Sequence, residues 1–267
     1  MTGGYSDFHN HLVPGVDDGS RSVADALHSV ERMVTAGVLR IITTPHFLAS
    51  SLGSPLLGDL MAHHDERWRS IRDAAREAFP QLDFRRGFEV RLDTPDPDLS
   101  DPRARLGGTR FVLVEWPGFS APANGPEILG RLVASGWVPV VAHPERYRGL
   151  GRGLLAARAW KEAGARLQGN YGSLAGQYGR GPTARIMRML SEGMLDYLSS
   201  DFHGRPEYTF YMGRGVEVLK QWDCDEHLQL LARENPARLF RGESPHAVPP
   251  LRIPEPFKHQ MGGWVDG

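Results

Sequence analysis

The chain has 267 residues, 40% of them apolar, and a formal net charge of −1. That length suits one large domain or two small ones, and the near-neutral balance gives no electrostatic reason to expect nucleic acid or an anionic membrane as a partner. A single cysteine, Cys224, excludes an intrachain disulfide. No apolar run approaches the roughly 20 residues of a bilayer span, and no leader pattern opens the chain, so a reducing, cytoplasmic setting is expected.

Short β-rich runs alternate with longer helical ones. Ser6–His11 opens the series as a strand, and SVADALHSVERMVTAG then repeats apolar residues at three- and four-residue spacing. That pattern predicts a helix closing on Gly37. Strand Leu39–Thr44, a helix around Leu60–Phe79, and strands Phe84–Leu92 and Phe111–Trp116 follow. Next come a helix around Pro126–Ser135, strand Val138–His143, helix LLAARAWKEAGA ending near Gly164, and strand Arg166–Asn170. Helix TARIMRMLSEGM, ending near Gly193, and strand Leu195–Asp201 complete the set. The strands are rich in Val, Ile, Leu or Phe, as strands buried on both faces should be. This α/β alternation predicts a parallel sheet closed into a barrel, with an open doubly wound sheet as the alternative. No GxGxxG or GxxxxGK[ST] opens a helix, so nucleotide-binding forms of the open sheet lack support. Residues 1–242 are read as the barrel. Residues 243–267, rich in Pro and Gly and without periodicity, are read as an extended tail, draped over a neighbour or disordered.

Chemistry-bearing residues collect where the strands end. The first gives His9 and His11, the second His46 in TTPHF, the third Glu89 in GFEVRL and the fourth Glu115 in VLVEWPG. The fifth gives His143, Glu145 and Arg146 in VVAHPERY, the sixth Asn170, and the seventh Asp201 and His203 in LSSDFHG. In barrels of this kind the C-terminal face carries the site. Strand alternation points His9 and His11 the same way with Phe8 outward, and treats Asp201 and His203 around Phe202 alike. Imidazoles mixed with carboxylates suit Zn, Mn, Fe or Co. Five histidines and three or four carboxylates exceed the needs of one ion, so two or three ions sharing a bridging carboxylate are expected, with Glu89 as the bridge. His28, His63, His64, His227, His246 and His259 are read as ordinary residues, His63 and His64 on a solvated helix face.

HNHLVPGVDDG, TTPH, GFEV, VEWP, VVAHPERY and SSDFH resemble the motif series of the PHP (polymerase and histidinol phosphatase) superfamily. Within it they resemble the bacterial CpsB/CapC-type phosphotyrosine phosphatases, from about Tyr5 to Arg241, and NYGSLAGQYG adds to the likeness. The resemblance implies a distorted, TIM-like (β/α)7 barrel with a three-ion site at the C-terminal face of the strands. One ion would use His9, His11, Glu89 and Asp201; a second would share Glu89 and add Glu115 and His143; a third would take Asp18, His46 and His203. Manganese is the first expectation, with Fe, Zn, Co or Mg as alternatives. The implied reaction is in-line hydrolysis of protein phosphotyrosine by a metal-activated hydroxide, without a phospho-enzyme. Arg146 and Arg205 would bind the phosphate, whose geometry suits guanidinium. The implied partners are a bacterial tyrosine kinase and polysaccharide-export proteins, in control of capsule or exopolysaccharide synthesis.

Pro14-Gly15 turns the chain so that Asp18 returns to the mouth, with Asp17 and Gly19 in the same turn. Asp17 or a metal-bound water is the candidate general acid, and Asp7 is either an acceptor orienting a ligand imidazole or a simple turn residue. Arg148, Arg180 and Arg21 are weaker phosphate candidates, and the plainer reading of Arg146 is a pair with Glu145. Cys224 lacks the C-x5-R pattern of thiolate phosphatases, since Gln229 and Leu230 follow at that spacing, and is read as inert. Competing readings are a histidinol-phosphate phosphatase on the same barrel, a single-metal amidohydrolase-like barrel, and a non-catalytic metal-stabilised binding module.

Overall fold

The computed structural model describes residues 4–254. Strand β1 (Tyr5–Asp7) leads to α1 (Val23–Thr35), whose N-terminus is capped by Ser22 Oγ accepting from the Asp25 N–H at 3.1 Å. The cap and the Asp25 carboxylate both suit the positive end of a helix. The chain leaves α1 through Gly37 at φ 90°, a left-handed turn open to glycine, and enters β2 (Val38–Thr43). Then come β3 (His46–Leu48), α2 (Ala49–Leu52), α3 (Leu57–Ala78), β4 (Asp83–Arg86), β5 (Glu89–Arg91) and β6 (Phe111–Glu115). The next elements are α4 (Gly125–Ala134), β7 (Val138–Ala142), α5 (Leu155–Glu162), β8 (Arg166–Asn170), α6 (Tyr171–Leu174), α7 (Arg180–Ser191) and β9 (Tyr197–Ser199). A terminal helical group follows: α8 (Met212–Gln221), α9 (Asp225–Gln229), a π-helical turn (Leu230–Glu234) and α10 (Asn235–Phe240).

Every strand pair is parallel, in two sheets ordered β1-β2-β4 and β3-β5-β6-β7-β8-β9. Two runs that look continuous in the sequence are each broken. Pro45 follows β2 and supplies no N–H, and Gly87-Phe88 divides Phe84–Leu92 into β4 and β5. Gly87 passes the Arg105 carbonyl so closely that a Cβ would lie 2.8 Å from its oxygen. Its N–H donates to Thr43 O at 2.9 Å, and Glu89 N–H donates to Pro45 O at 3.0 Å, so the two breaks stay in register.

Ser6–His11 is likewise a strand only as far as Asp7. Past that point Phe8 and His9 both donate their N–H to Ser199 Oγ, each at 3.0 Å. The pleat is lost there, and Phe8 is buried among Ile42, Leu113, Val140 and Tyr197 rather than turned outward. Leu113 shares its face of β6 with Glu115, so Phe8 and the histidine beside it lie on the same side of the sheet. Phe202 packs on the other face, its ring 5.1 Å from Phe210. Backbone bonds tie this first segment on both sides: Thr44 N–H to Asn10 O (2.8 Å), Asp201 N–H to His9 O (2.7 Å) and His11 N–H to Phe202 O (2.9 Å).

The helices cover the opposite face of the strands. Val30 and Met33 of α1, Leu129 and Leu132 of α4, Trp160 of α5, and Ile186 and Leu190 of α7 share one buried cluster with Ile41, Val112, Val141 and Leu198. Each such side chain contributes roughly 1.5–3 kcal/mol by burial. In the sequence, Gly213 and Gly215 dilute the apolar pattern of α8. Gly215 is needed there, since a Cβ would sit 2.9 Å from Tyr171. Residues 243–254 carry no regular structure, and part of the segment packs on the chain's own body. Val248, Leu251 and Ile253 are buried, and Leu251 N–H donates to Leu190 O at 2.9 Å. The rest of the tail, His259 included, lies outside the described residues. Among the described residues no helix is long and apolar enough to cross a membrane.

Candidate metal centre

All nine residues expected to ligate ions converge on one site, most of them at or just past the C-terminal ends of strands. His9 and His11 follow β1, and Asp18 lies in the loop beyond. His46 opens β3 directly opposite Glu89, which opens β5. Glu115 closes β6, His143 follows β7, and Asp201 and His203 follow β9. His143 (φ 35°) and Asp201 (φ 52°) sit in left-handed backbone that non-glycine residues rarely adopt. Local strain of this kind collects at functional sites.

Glu89 is the hub. Fully buried, its Oε2 lies 3.2 Å from His9 Nε2, 3.4 Å from His11 Nε2 and 3.1 Å from His46 Nδ1, while Oε1 lies 3.0 Å from His143 Nε2. Asp201 Oδ1 is 3.4 Å from both His9 Nε2 and His11 Nε2, and Glu115 Oε1 is 3.1 Å from His46 Nδ1. Asp18 Oδ1 approaches His203 Nε2 at 3.4 Å and His46 Nε2 at 3.6 Å. Among the described residues four overlapping groups emerge, each with ligand atoms mutually within 4.8 Å: His11-Asp18-His46-His203, His9-His11-Asp201, His9-Glu89-His143 and His46-Glu89-Glu115. His46 thus links the expected third set to Glu89 and Glu115, and His11 stands beside that set as well.

Donor chemistry tests whether these residues fit a metal. His9 Nε2, His11 Nε2, His46 Nδ1 and Glu89 Oε2 are buried, and none makes a hydrogen bond despite opposite partners at 3.1–3.4 Å. Two atoms bonded to one ion at ~2.1 Å, with octahedral or tetrahedral angles, stand about 3.0–3.4 Å apart. The residues fit.

Outer contacts fix the tautomers. His9 Nδ1 donates to Gln168 Oε1 at 2.7 Å, and His11 Nδ1 donates to Asp17 Oδ2 at 2.8 Å, which turns each Nε2 lone pair toward Glu89 and Asp201. Asp17 also accepts from His46 N–H (3.0 Å) and Gly19 N–H (2.9 Å). Burial works to raise the Asp17 carboxyl, but His11 outweighs it and holds the group below its ordinary value. An ionised carboxylate with three donors on it is placed to orient His11. Asp7 touches no imidazole ring. It accepts from Asn10 Nδ2 (2.8 Å) and Ser200 N–H (2.9 Å), bracing the backbone on either side of the cluster. Burial opposes ionisation of Glu89 and Asp201 too, yet the imidazoles, His9 first, keep both well below the usual carboxylate range.

The arginines divide. Arg146 Nη1 donates to Asp201 Oδ2 at 2.6 Å, and its guanidinium lies between the rings of Phe119 (4.3 Å) and Tyr178 (4.2 Å). It does not pair with Glu145, which is buried and accepts from Asn170 N–H and Ser173 Oγ. Arg205 donates through Nε to Gly19 O at 2.9 Å and stands over Tyr208. Arg21 pairs with Asp25 and Glu207, Arg148 bonds Gly118 O, and Arg180 opens α7. A cavity of about 380 Å³ adjoins the cluster, lined by Arg146, Tyr178, Asp201, His203, Tyr208 and Tyr211 among others.

Sequence reasoning missed Arg91, Gln168, Phe119 and Tyr178. Arg91 Nε donates to Glu115 Oε1 at 2.7 Å. Its place two residues after Glu89 on one strand carried the signal, as did that of Gln168 two before Asn170. Nothing in the sequence marks Phe119. His64, read as solvated, is buried with its ring 5.4 Å from Phe47 and 5.2 Å from Phe88, and burial drives its pKa down to about 4. Cys224 is buried, and the same desolvation raises its thiol.

Fold and site together define a parallel α/β protein with a histidine–carboxylate cluster at the carboxyl ends of its strands. The chain belongs to the CpsB/CapC family of capsular polysaccharide synthesis, whose model matches residues 5–241. It is 27% identical over 260 residues to the tyrosine-protein phosphatase YwqE of Bacillus subtilis, covering 92% of this chain and 96% of that protein. It is 23% identical over 242 residues to the tyrosine-protein phosphatase CpsB of Streptococcus pneumoniae, covering 88% and 97%. Among solved structures it matches one described as YwqE from B. subtilis and CpsB from S. pneumoniae, unique metal-dependent tyrosine phosphatases. That match has TM-score 0.77, 26% identity, and covers 93% of this chain and 99% of that one. An amidohydrolase from Mycoplasma synoviae (TM-score 0.58, 14% identity, 97% and 95% covered) shares the fold alone.

Proposed function

We propose that this chain is a metal-dependent protein-tyrosine phosphatase, a phosphoric monoester hydrolase acting on protein phosphotyrosine. On this reading the strands close into a distorted, TIM-like (β/α)7 barrel of residues 1–242, with residues 243–267 appended. Two or three divalent ions, manganese first, are held by His9, His11, Glu89 and Asp201, by Glu89 with Glu115 and His143, and by Asp18, His46 and His203. The observation that carries the reading is the set of buried ligand atoms without hydrogen bonds around Glu89. It stands on a scaffold that matches the YwqE/CpsB structure over 93% of this chain.

When bound, such ions supply Lewis acidity toward phosphoryl oxygens and a water of lowered pKa. The chain's own groups do the rest. Arg146, pinned at one Nη by Asp201 and stacked on both faces, offers its remaining donors to the phosphate. Arg205, bonded to Gly19 O in the loop that carries Asp18, is assigned to the same anion. The adjoining cavity, with Tyr178, Tyr208 and Tyr211, receives the aryl side chain. Asp17 and Gln168 hold the imidazoles that face Glu89. A role in capsule or exopolysaccharide control, supported by the family description, belongs to the same proposal, as do a bacterial tyrosine kinase as the phosphotyrosine-bearing partner and a cytoplasmic location.

The test compares kcat/KM on a phosphotyrosyl peptide and on histidinol phosphate with Mn²⁺, before and after chelation. Turnover of the peptide that is lost on chelation and restored by metal is expected. Preference for histidinol phosphate overturns the substrate assignment, and metal binding without turnover of either favours a binding module.

A further inference from the structure

A second polar cavity, of about 290 Å³, lies beside the starts of β1 and β2, at the end of the strands opposite the histidines. Arg40, Arg233, Arg238 and Arg241 line it, with Glu234 and His246. Arg241 makes two bonds of 2.9 Å to Glu243, and Arg238 Nη1 lies 3.3 Å from the same carboxylate. Four guanidiniums against Glu234 and Glu243 leave a net of two positive charges, in a chain whose overall charge is −1.

Two of the four have no acidic partner. Arg40 reaches only neutral acceptors, Ser6 Oγ at 3.3 Å and Gly4 O at 3.5 Å. Arg233 lies 4.3 Å over the Tyr5 ring, and its buried Nε makes no hydrogen bond. Among the described residues neither has a carboxylate within ion-pair distance. Arg233 and Glu234 stand on the π-helical turn Leu230–Glu234. An i→i+5 turn is rare and is frequently found at functional sites.

We propose that this cavity binds a small phosphate-bearing dianion, separate from the metal centre. Paired guanidiniums match phosphate oxygens in plane and spacing, and the net charge matches a dianion. The volume is near the lower bound of ligand pockets, which suits one phosphate with a small substituent and not a protein segment. The site borders the strand that runs on into His9, because Tyr5, stacked under Arg233, opens β1.

The test is equilibrium dialysis of the full, manganese-loaded chain against inorganic phosphate. Wild type is expected to bind about two phosphates, one at each cavity. The double variant Arg40→Gln/Arg233→Gln is expected to lose one while keeping kcat on a phosphotyrosyl peptide, and Arg146→Gln to lose the other. Because Arg233 packs on Tyr5, the exposed Arg241→Gln is the second probe, expected to weaken the same phosphate about tenfold with unchanged melting temperature. Phosphate stoichiometry and affinity unmoved by these variants overturn the proposal. So does binding of an Asp/Glu-rich peptide, in place of phosphate, that depends on Arg40. Absence of turnover in a wild type that still binds the Arg40-dependent phosphate overturns the phosphatase reading and leaves this one standing.

Discussion

Replacing Asp17 by Asn separates an orienting role from acid catalysis. Its Oδ2 accepts from His11 Nδ1 at 2.8 Å and His46 N–H at 3.0 Å, and its Oδ1 accepts from Gly19 N–H at 2.9 Å. An amide oxygen retained at the Oδ2 position sets an NH2 group against the Gly19 N–H, so one bond is lost, at a cost of ~1–3 kcal/mol for a buried donor. The negative charge behind His11 disappears as well. Loss of an outer partner of this type lowers metal affinity about 10–100-fold, equivalent to ~1.4–2.7 kcal/mol. Isothermal titration with Mn²⁺ reads the affinity, and kcat at saturating metal reads the chemistry. Saturating Mn²⁺ should restore most of the turnover. If kcat stays ~10²–10⁴-fold down with the metal sites full, Asp17 is transferring a proton and the orienting argument is wrong.

Three further outcomes follow from the same geometry. Glu89→Gln removes the carboxylate shared by four imidazoles; elemental analysis should find at least about one ion fewer per chain, with turnover reduced in proportion or more. Arg146→Lys keeps the charge but loses the planar stack between Phe119 and Tyr178, and kcat/KM on phosphotyrosyl peptide should fall about 10²-fold with metal content unchanged. In the metal-free protein His46 is raised to about 10: burial opposes its protonation, and Glu115 and Glu89 outweigh it. A raised folded-state pKa stabilises below the ordinary histidine value near ~6.5 and ceases to do so as pH climbs toward the folded value. The melting temperature without metal should therefore decline between pH ~6.5 and about 10, metal should offset the decline, and its binding should release protons. A flat profile without metal contradicts the picture of imidazoles held charged by these carboxylates.

The site was legible because its residues lie where buried apolar runs stop. A histidine or glutamate at such a point has few structural uses, and the repetition of the pattern across seven strands made convergence the economical reading. What the sequence concealed has particular causes. Phe8 turned inward because two adjacent N–H groups share Ser199 Oγ, a long-range contact that no periodicity encodes. The strand break at Gly87 depends on the Arg105 carbonyl passing close to it, a contact from a separate loop. His64 belongs to a helix with charged neighbours in sequence, yet its face meets Phe47 and Phe88. Arg91 and Gln168 obeyed the same two-residue rule that found the ligands, and both hold ligand side chains in place. Asp17 was visible, but its role depended on where His11 and the His46 N–H came to rest.

Anomalous X-ray scattering from crystals of the manganese-loaded protein tests the central claim most directly. The account predicts two or three anomalous peaks enclosed by His9, His11, Asp18, His46, Glu89, Glu115, His143, Asp201 and His203, with Glu89 touching more than one. Peaks elsewhere, or a cluster that stays bare of metal while the protein still cleaves phosphotyrosine, contradict it.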